Sequence, residues 1–184
     1  MEENELISNI QNGDKDAFKD FIDLYKKFVI NVCYKFVSNE DDANDVAQEV
    51  FIEVYHSINK FRSDSKVTTW LYRICVNRSL NFIRNNKKYK LTESYSNENE
   101  INSGISSSSS TPETALINKE RADIINNAIN SLPENQKTAF ILCKKEDLSY
   151  QEISNVLGIS VKAVESLIVR AKKNLQKLLV EYYE

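Results

Sequence analysis

Apolar residues recur at three- and four-residue intervals along most of the chain, the spacing that lays one buried stripe on an α-helix. The pattern predicts helices over 3–12, 15–37, 41–59, 66–88, 112–131, 134–145, 149–157 and 160–181. Short breaks at Asn12-Gly13, Ser38-Asn39, Arg62-Ser63-Asp64, Pro133 and Gly158-Ile159 separate them. Between Leu91 and Thr111 the periodicity stops: LTESYSNENEINSGISSSSST is polar, carries five consecutive serines and reads as a flexible linker. Thr111-Pro112-Glu113 then has the composition of a helix start, with a capping hydroxyl, a proline in the first turn and an acid behind it. The expectation is an all-α chain of two small helical domains. A helical bundle occupies 1–90, a linker 91–111 and a helix-turn-helix domain 112–184.

The best local signals lie in that second domain. Ser149 and Glu152 have the spacing of a capping box, with Leu148 and Ile153 at staple positions. Gly158 can supply the left-handed residue that closes the helix, and Ser160 can cap the next. Ile153, Leu157, Ile159, Val164 and Leu167 are the expected shared core of a helix-turn-helix, with the small Ser154 at the helix approach. A plain αα-hairpin would share much of this spacing. Advancing about 100° per residue from Ser160 sets Val164, Leu167, Ile168, Ala171, Leu175 and Leu178 on one stripe. Lys162, Ser166, Val169, Arg170 and Lys173 fall opposite, with Glu165 at their edge. In a DNA major groove such a face offers phosphate contacts from lysine and base-edge contacts from Ser, Arg or Glu.

In the first domain, run 41–59 places Ala43, Val46, Ala47, Val50, Phe51, Val54, Tyr55 and Ile58 on one core stripe. Asp45, Gln48, Glu49, Ile52 and His56 share the other side, and an apolar Ile among acids and amides suits helix docking. Run 66–88 turns Val67, Leu71, Ile74, Cys75 and Phe82 inward. It gathers Trp70, Arg73, Asn77, Asn81 and Arg84 on its other faces, the amides, guanidinium groups and ring that exposed bases use. Trp70 is equally readable as a half-buried core anchor.

Charge sharpens this picture. The net charge is only −3, yet residues 1–60 carry 6 basic and 13 acidic side chains, whereas residues 61–92 carry 8 and 1. Residues 162–184 are again weakly basic, with 5 and 3. Segregation of this kind points to polyanion contact by chosen surfaces of an acidic protein. The low content of Gly (3) and Pro (2) disfavours the many tight turns of a sandwich or barrel. Cys33, Cys75 and Cys143 form no CxxC pair and are expected as small core residues. His56 is the sole histidine, and there is no glycine-rich phosphate loop, HExxH or nucleophile elbow. No enzyme, cofactor, metal site or small-molecule substrate is therefore expected. With neither a leader-like start nor 18 uninterrupted apolar residues, the chain is expected to be soluble, cytoplasmic and not inserted in a membrane.

The motifs carry a family resemblance. Asp45-Val46-Ala47-Gln48-Glu49-Val50-Phe51, then Phe61-Arg62-Ser63-Asp64-Ser65, then Thr69-Trp70-Leu71-Tyr72-Arg73-Ile74 and Asn77, resemble the second region of extracytoplasmic-function (ECF) sigma factors. Leu132-Pro133, Leu148-Ser149-Tyr150-Gln151-Glu152-Ile153 and Arg170-Ala171-Lys172 resemble their fourth region. The resemblance implies an alternative sigma factor that lends promoter specificity to bacterial RNA polymerase. It implies that Asp45, Gln48, Glu49 and Ile52 bind core polymerase. Arg62, Ser63, Asp64, Ser65 and Lys66 would capture a flipped base of the −10 element, and Trp70, Arg73, Asn77, Asn81 and Arg84 would hold the −10 strand. Lys162, Glu165, Ser166, Val169, Arg170 and Lys173 would face the −35 duplex, although Glu165 and Leu167 stand where members often carry Arg. An anti-sigma protein is the further partner that the resemblance implies. A ligand-sensing helix-turn-helix regulator is the alternative, and it would bind operator DNA without polymerase.

Overall fold

The computed structural model describes residues 3–61, 65–93 and 112–180, those at 87–93 and 112–119 as backbone alone. All regular elements among them are helical. The chain divides into two compact units, residues 1–100 and 101–184.

The first unit opens with α1 (Glu3–Gln11), whose Leu6, Ile7 and Ile10 are buried. Gly13, at φ 89°, turns the chain into α2 (Lys15–Val37), a conformation that glycine adopts without Cβ strain. The Asp14 carboxylate caps α2 by accepting from the backbone N–H groups of Asp16 and Ala17 at 2.9 and 3.1 Å. Ser38 ends α2 at φ 61°, and Asn39 caps α3 (Glu40–Ser57) by accepting from Asp42 N–H at 3.0 Å. Three acids follow in the first turn of α3, where the helix dipole favours negative charge. α4 (Val67–Glu93) completes the unit. α2 packs on both α3 and α4, enclosing Phe21, Val29, Val32, Phe36, Val46, Val50, Val54 and Leu71.

Three details differ from the sequence expectation. Run 41–59 is helical only to Ser57, then tightens into a 3-10 turn at Ile58–Lys60, closed by Phe61 N–H donating to Ile58 C=O at 3.0 Å. The tighter turn swings Ile58 into the core. Tyr55, expected inside, is 50% exposed and packs edge-on against Phe18 of α2, while Phe51 is half-buried. α4 continues past 88 because no Gly or Pro interrupts Asn85–Glu93. It also buries Val76 and Ser79, which the wheel did not single out. Segment 94–111, most of the expected linker, and Thr111 with it lie outside the described residues.

The second unit comprises α5 (Pro112–Asn130), α6 (Glu134–Lys144), α7 (Tyr150–Leu157) and α8 (Val161–Val180). α8 packs on α5, α6 and α7. Its Val164, Ile168, Ala171 and Leu175 are buried with Ile141, Leu142 and Ile153. Val156 completes that core, whereas Leu157, Ile159 and Leu167 are only half-buried.

Candidate nucleic-acid and partner interfaces

Local chemistry fixes the α7–α8 pair. The Ser149 side chain accepts from Glu152 N–H at 3.3 Å while Glu152 Oε2 accepts from Ser149 N–H at 2.9 Å, completing the capping box. Gly158 sits at φ 66° and returns its N–H to Ser154 C=O. The Ser154 hydroxyl donates to Ile159 C=O at 2.5 Å, tying the turn to α7, and Ser160 Oγ accepts from Ala163 N–H at 3.2 Å. From that support α8 projects Lys162, Glu165, Ser166, Val169, Arg170 and Lys173, all exposed, with Val169 at 58%. Lys162 stands at one end and Arg170 and Lys173 at the other of a short polar and apolar centre, a face able to enter a groove.

On α4, Arg73, Asn77, Asn81 and Arg84 are all exposed and follow each other at intervals of four, four and three residues along one side. Trp70 is half-buried, its ring centroid 5.0 Å from that of Phe61 and tilted by 36°. It is thus part anchor and part surface. Ser65 and Lys66 are exposed ahead of α4, and Lys66 C=O accepts its first hydrogen bond, from Trp70 N–H at 3.2 Å. Arg62, Ser63 and Asp64 lie outside the described residues.

On α3, Asp45, Gln48, Glu49 and Ile52 are exposed, Ile52 at 58%. Gln48 and Ile52 line a cleft of about 880 Å³ between α2 and α3, whose apolar wall includes Phe18, Ile22, Ile30 and Phe51. Asp23, Lys26, Asn44 and His56 supply its polar edge. Asp45 and Glu49 do not line it, although they neighbour Gln48 and Ile52 on the same exposed face of α3. Glu49 inclines instead toward Arg78 of α4, 3.9 Å away, and Arg78 pairs more closely with Glu53. The helical wheel overlooked the α2 half of the cleft, although Phe18, Ile22 and Ile30 already stand at multiples of four.

Two further tether points emerge in the first unit. Tyr25 donates its hydroxyl to the Glu3 carboxylate, and Gln11 donates to the carbonyls of Ile58 and Phe61. Burial first, then the hydrogen bond to Glu3, pushes the Tyr25 phenol above its ordinary range. In the core, a hydrogen bond from Cys75 is the largest influence on the Cys33 thiol and draws its pKa down against the opposing effect of burial. No group of three or more His, Cys, Asp or Glu side chains among the described residues could hold a metal ion. No helix among them is long and apolar enough to cross a membrane.

Comparison with known proteins agrees in both units. The family model described as Sigma-70 region 2 matches residues 21–89, and that described as Sigma-70, region 4, matches residues 122–175. The ECF RNA polymerase sigma factor SigW of Bacillus subtilis is 35% identical over 176 residues, covering 94% of each chain. The ECF RNA polymerase sigma-E factor of Haemophilus influenzae is 34% identical over 174 residues, covering 93% of this chain and 92% of that one. The sigma factor RpoE of Bartonella quintana, solved with the anti-sigma factor NepR, superposes with a TM-score of 0.66 over 88% of this chain and 96% of that chain. At 20% identity, it speaks for the fold alone.

Proposed function

The chain belongs to the ECF sigma factors, alternative sigma factors of bacterial transcription initiation, and from that premise we propose how its exposed faces divide the work. Asp45, Gln48, Glu49 and Ile52 bind the core polymerase, with Ile52 and the apolar wall of the α2–α3 cleft burying surface and the acids steering approach. Arg73, Asn77, Asn81, Arg84 and Trp70 hold the −10 strand, and residues 62–66 take an unstacked base. Lys162, Glu165, Ser166, Val169, Arg170 and Lys173 enter the −35 major groove from the second unit. Residues 91–111, the first three of which continue α4, tether the two domains.

Opening the −10 duplex needs no covalent chemistry from the chain. Extruding a base costs a few kcal/mol, and stacking it on an aromatic ring returns about 1–3 kcal/mol, with phosphate contacts supplying the balance. The chain therefore melts DNA by trapping the open form, while the polymerase performs catalysis. The observation that carries this assignment is the exposed row of Arg73, Asn77, Asn81 and Arg84 on a single rigid helix of the unit that also bears the cleft. An anti-sigma protein is the remaining partner, silencing the chain by covering these faces.

Run-off transcription with purified bacterial core polymerase on a randomised promoter pool tests the whole assignment. Enrichment of two elements at a fixed spacing, dependent on added core, is expected. Tight sequence-specific binding by the chain alone, indifferent to polymerase, would overturn it in favour of an operator-binding regulator.

A further inference from the structure

The core of the first unit holds two thiols that have no part in the polymerase or DNA contacts. Cys33 on α2 and Cys75 on α4 meet where these helices pack, and neither exposes any surface. Their thiols hydrogen-bond to each other, the largest influence on Cys33, which outweighs burial in drawing its pKa down. Ser79, one turn beyond Cys75, is also fully buried. A serine inside a helix ordinarily returns its hydroxyl to the carbonyl one turn back, in this case that of Cys75. Ser79 does not: its Oγ has no hydrogen-bond partner, and it stands beside the Cys33 sulfur. A protonated thiol is a weak acceptor and a thiolate a strong one, so this hydroxyl is satisfied in full only when Cys33 ionises. Orphaned buried hydroxyls are costly and rare in folded proteins, and this one lies against a sulfur that could use the donor.

We propose that Cys33 and Cys75 are a reversible redox pair, in which the Ser79 hydroxyl supports the Cys33 thiolate and an intramolecular disulfide staples α2 to α4. The oxidant is a small uncharged hydroperoxide, hydrogen peroxide being the simplest. Both sulfurs are closed to solvent, so reagents reach them only as the helices breathe, and bulky or charged disulfides are excluded. The Cys33 thiolate attacks a peroxide oxygen and the O–O bond breaks. Cys33 becomes a sulfenic acid, and the departing hydroxide takes up the proton that Cys33 released. The Cys75 sulfur then attacks that of Cys33, a second water leaves and the S–S bond forms. In sum, two thiols give up two protons and two electrons, and hydrogen peroxide becomes two waters. A small dithiol reverses the reaction by exchange. The staple joins the helix bearing the exposed Arg73, Asn77, Asn81 and Arg84 to the helix that supplies Phe18, Ile22 and Ile30 to the cleft.

The test treats the full chain with hydrogen peroxide, alkylates the remaining thiols in denaturant and maps the digest by mass spectrometry, with the half-buried Cys143 as internal reference. The Cys33 and Cys75 peptides should be recovered joined, with Cys143 still largely alkylated, and dithiothreitol should restore both thiols. The oxidised chain should melt at a higher temperature than the reduced one, because a cross-link restricts the unfolded chain. Cys75→Ala removes the resolving thiol, so peroxide should leave on Cys33 a sulfenic acid that dimedone traps. Ser79→Ala should slow disulfide formation roughly tenfold, the scale of one hydrogen bond to a charged group. It should not lower the melting temperature of the reduced chain, since the hydroxyl makes no hydrogen bond there.

Cys33 and Cys75 both still alkylated at a peroxide dose that oxidises Cys143 would make them ordinary core thiols and overturn the proposal. A disulfide from either of them to Cys143, or between two chains, would overturn the pairing. A joined product that melts below the reduced chain would be a strained cross-link forced by the oxidant, and the staple would be overturned with it. Ser79→Ala oxidising at the wild-type rate would overturn the place given to Ser79. Every readout is taken without polymerase or DNA, so the redox pair stands or falls apart from the function proposed above.

Discussion

The Arg78 guanidinium on α4 pairs with the Glu53 carboxylate on α3, and Glu49, one turn earlier, lies 3.9 Å from the same group. Part of the positive charge of the basic segment is therefore used within the protein, clamping the helix assigned to polymerase onto the helix assigned to DNA. The side chains retain about a third to a half of their exposure, so solvent screens the pair. Arg78→Met should lower the stability of the first unit by roughly 0.2–1 kcal/mol at low salt, a loss that fades near 1 M salt. Thermal melts at the two ionic strengths check it. A loss of several kcal/mol, or one indifferent to salt, would mean that Arg78 acts through buried packing instead.

Ile52→Glu should reduce affinity for core polymerase by at least about tenfold and leave the melting temperature unchanged, since a charge at the centre of a docked apolar contact is costly and the free side chain is already 58% exposed. Affinity and melting are measured on the same preparation. Unchanged affinity would detach Ile52 from the docking surface, and a collapsed fold would contradict its exposure.

The contrast between these residues shows what was legible in the sequence. Ser149, Glu152, Gly158 and Ser160 announced the helix-turn-helix because every partner lies within a few residues, where spacing alone sets geometry. The outward residues of α8 and α4 followed from periodicity for the same reason. Tyr55 was misassigned because a wheel gives direction around α3 but not the reach of α2, whose Phe18 meets the ring at the cleft rim. Arg78 and Gln11 gave no local signal at all. Their partners are 25 residues or more away, and which polar side chains meet across such distances depends on helix crossing and register.

Tyr25 makes the first unit sensitive to alkali. Its folded pKa is raised, so the neutral phenol is the form that the fold favours. The contribution is fully present below the unfolded value of about 10 and is lost as the pH rises from there toward the folded value. Urea unfolding followed by the fluorescence of Trp70, the chain's single tryptophan, reports on this unit directly. Stability should fall above about pH 10 in the wild type and more gently in Tyr25→Phe. Parallel curves for the two proteins would show that other groups control the alkaline transition.

Lys173 and Glu165 should separate two modes of DNA contact on one helix face. Both are exposed on α8, but the assignment gives Lys173 a phosphate and sets Glu165 beside base edges. A phosphate carries no sequence information, so Lys173→Ala should weaken −35 binding on every sequence alike. It should also flatten the slope of log affinity against log salt by about one unit, the counterion released by one neutralised phosphate. Glu165→Arg adds positive charge and so should strengthen non-specific binding. Its distinguishing effect is on preference: a carboxylate accepts from the cytosine amino group, whereas a guanidinium donates to guanine, so the favoured base at one −35 position should change. Binding selections on a randomised −35 element, run at two salt concentrations with each variant, distinguish these outcomes. A Glu165→Arg variant that shifts affinity equally across all sequences would move Glu165 off the bases and onto the backbone rim, and the recognition face would then centre on Ser166, Val169 and Arg170.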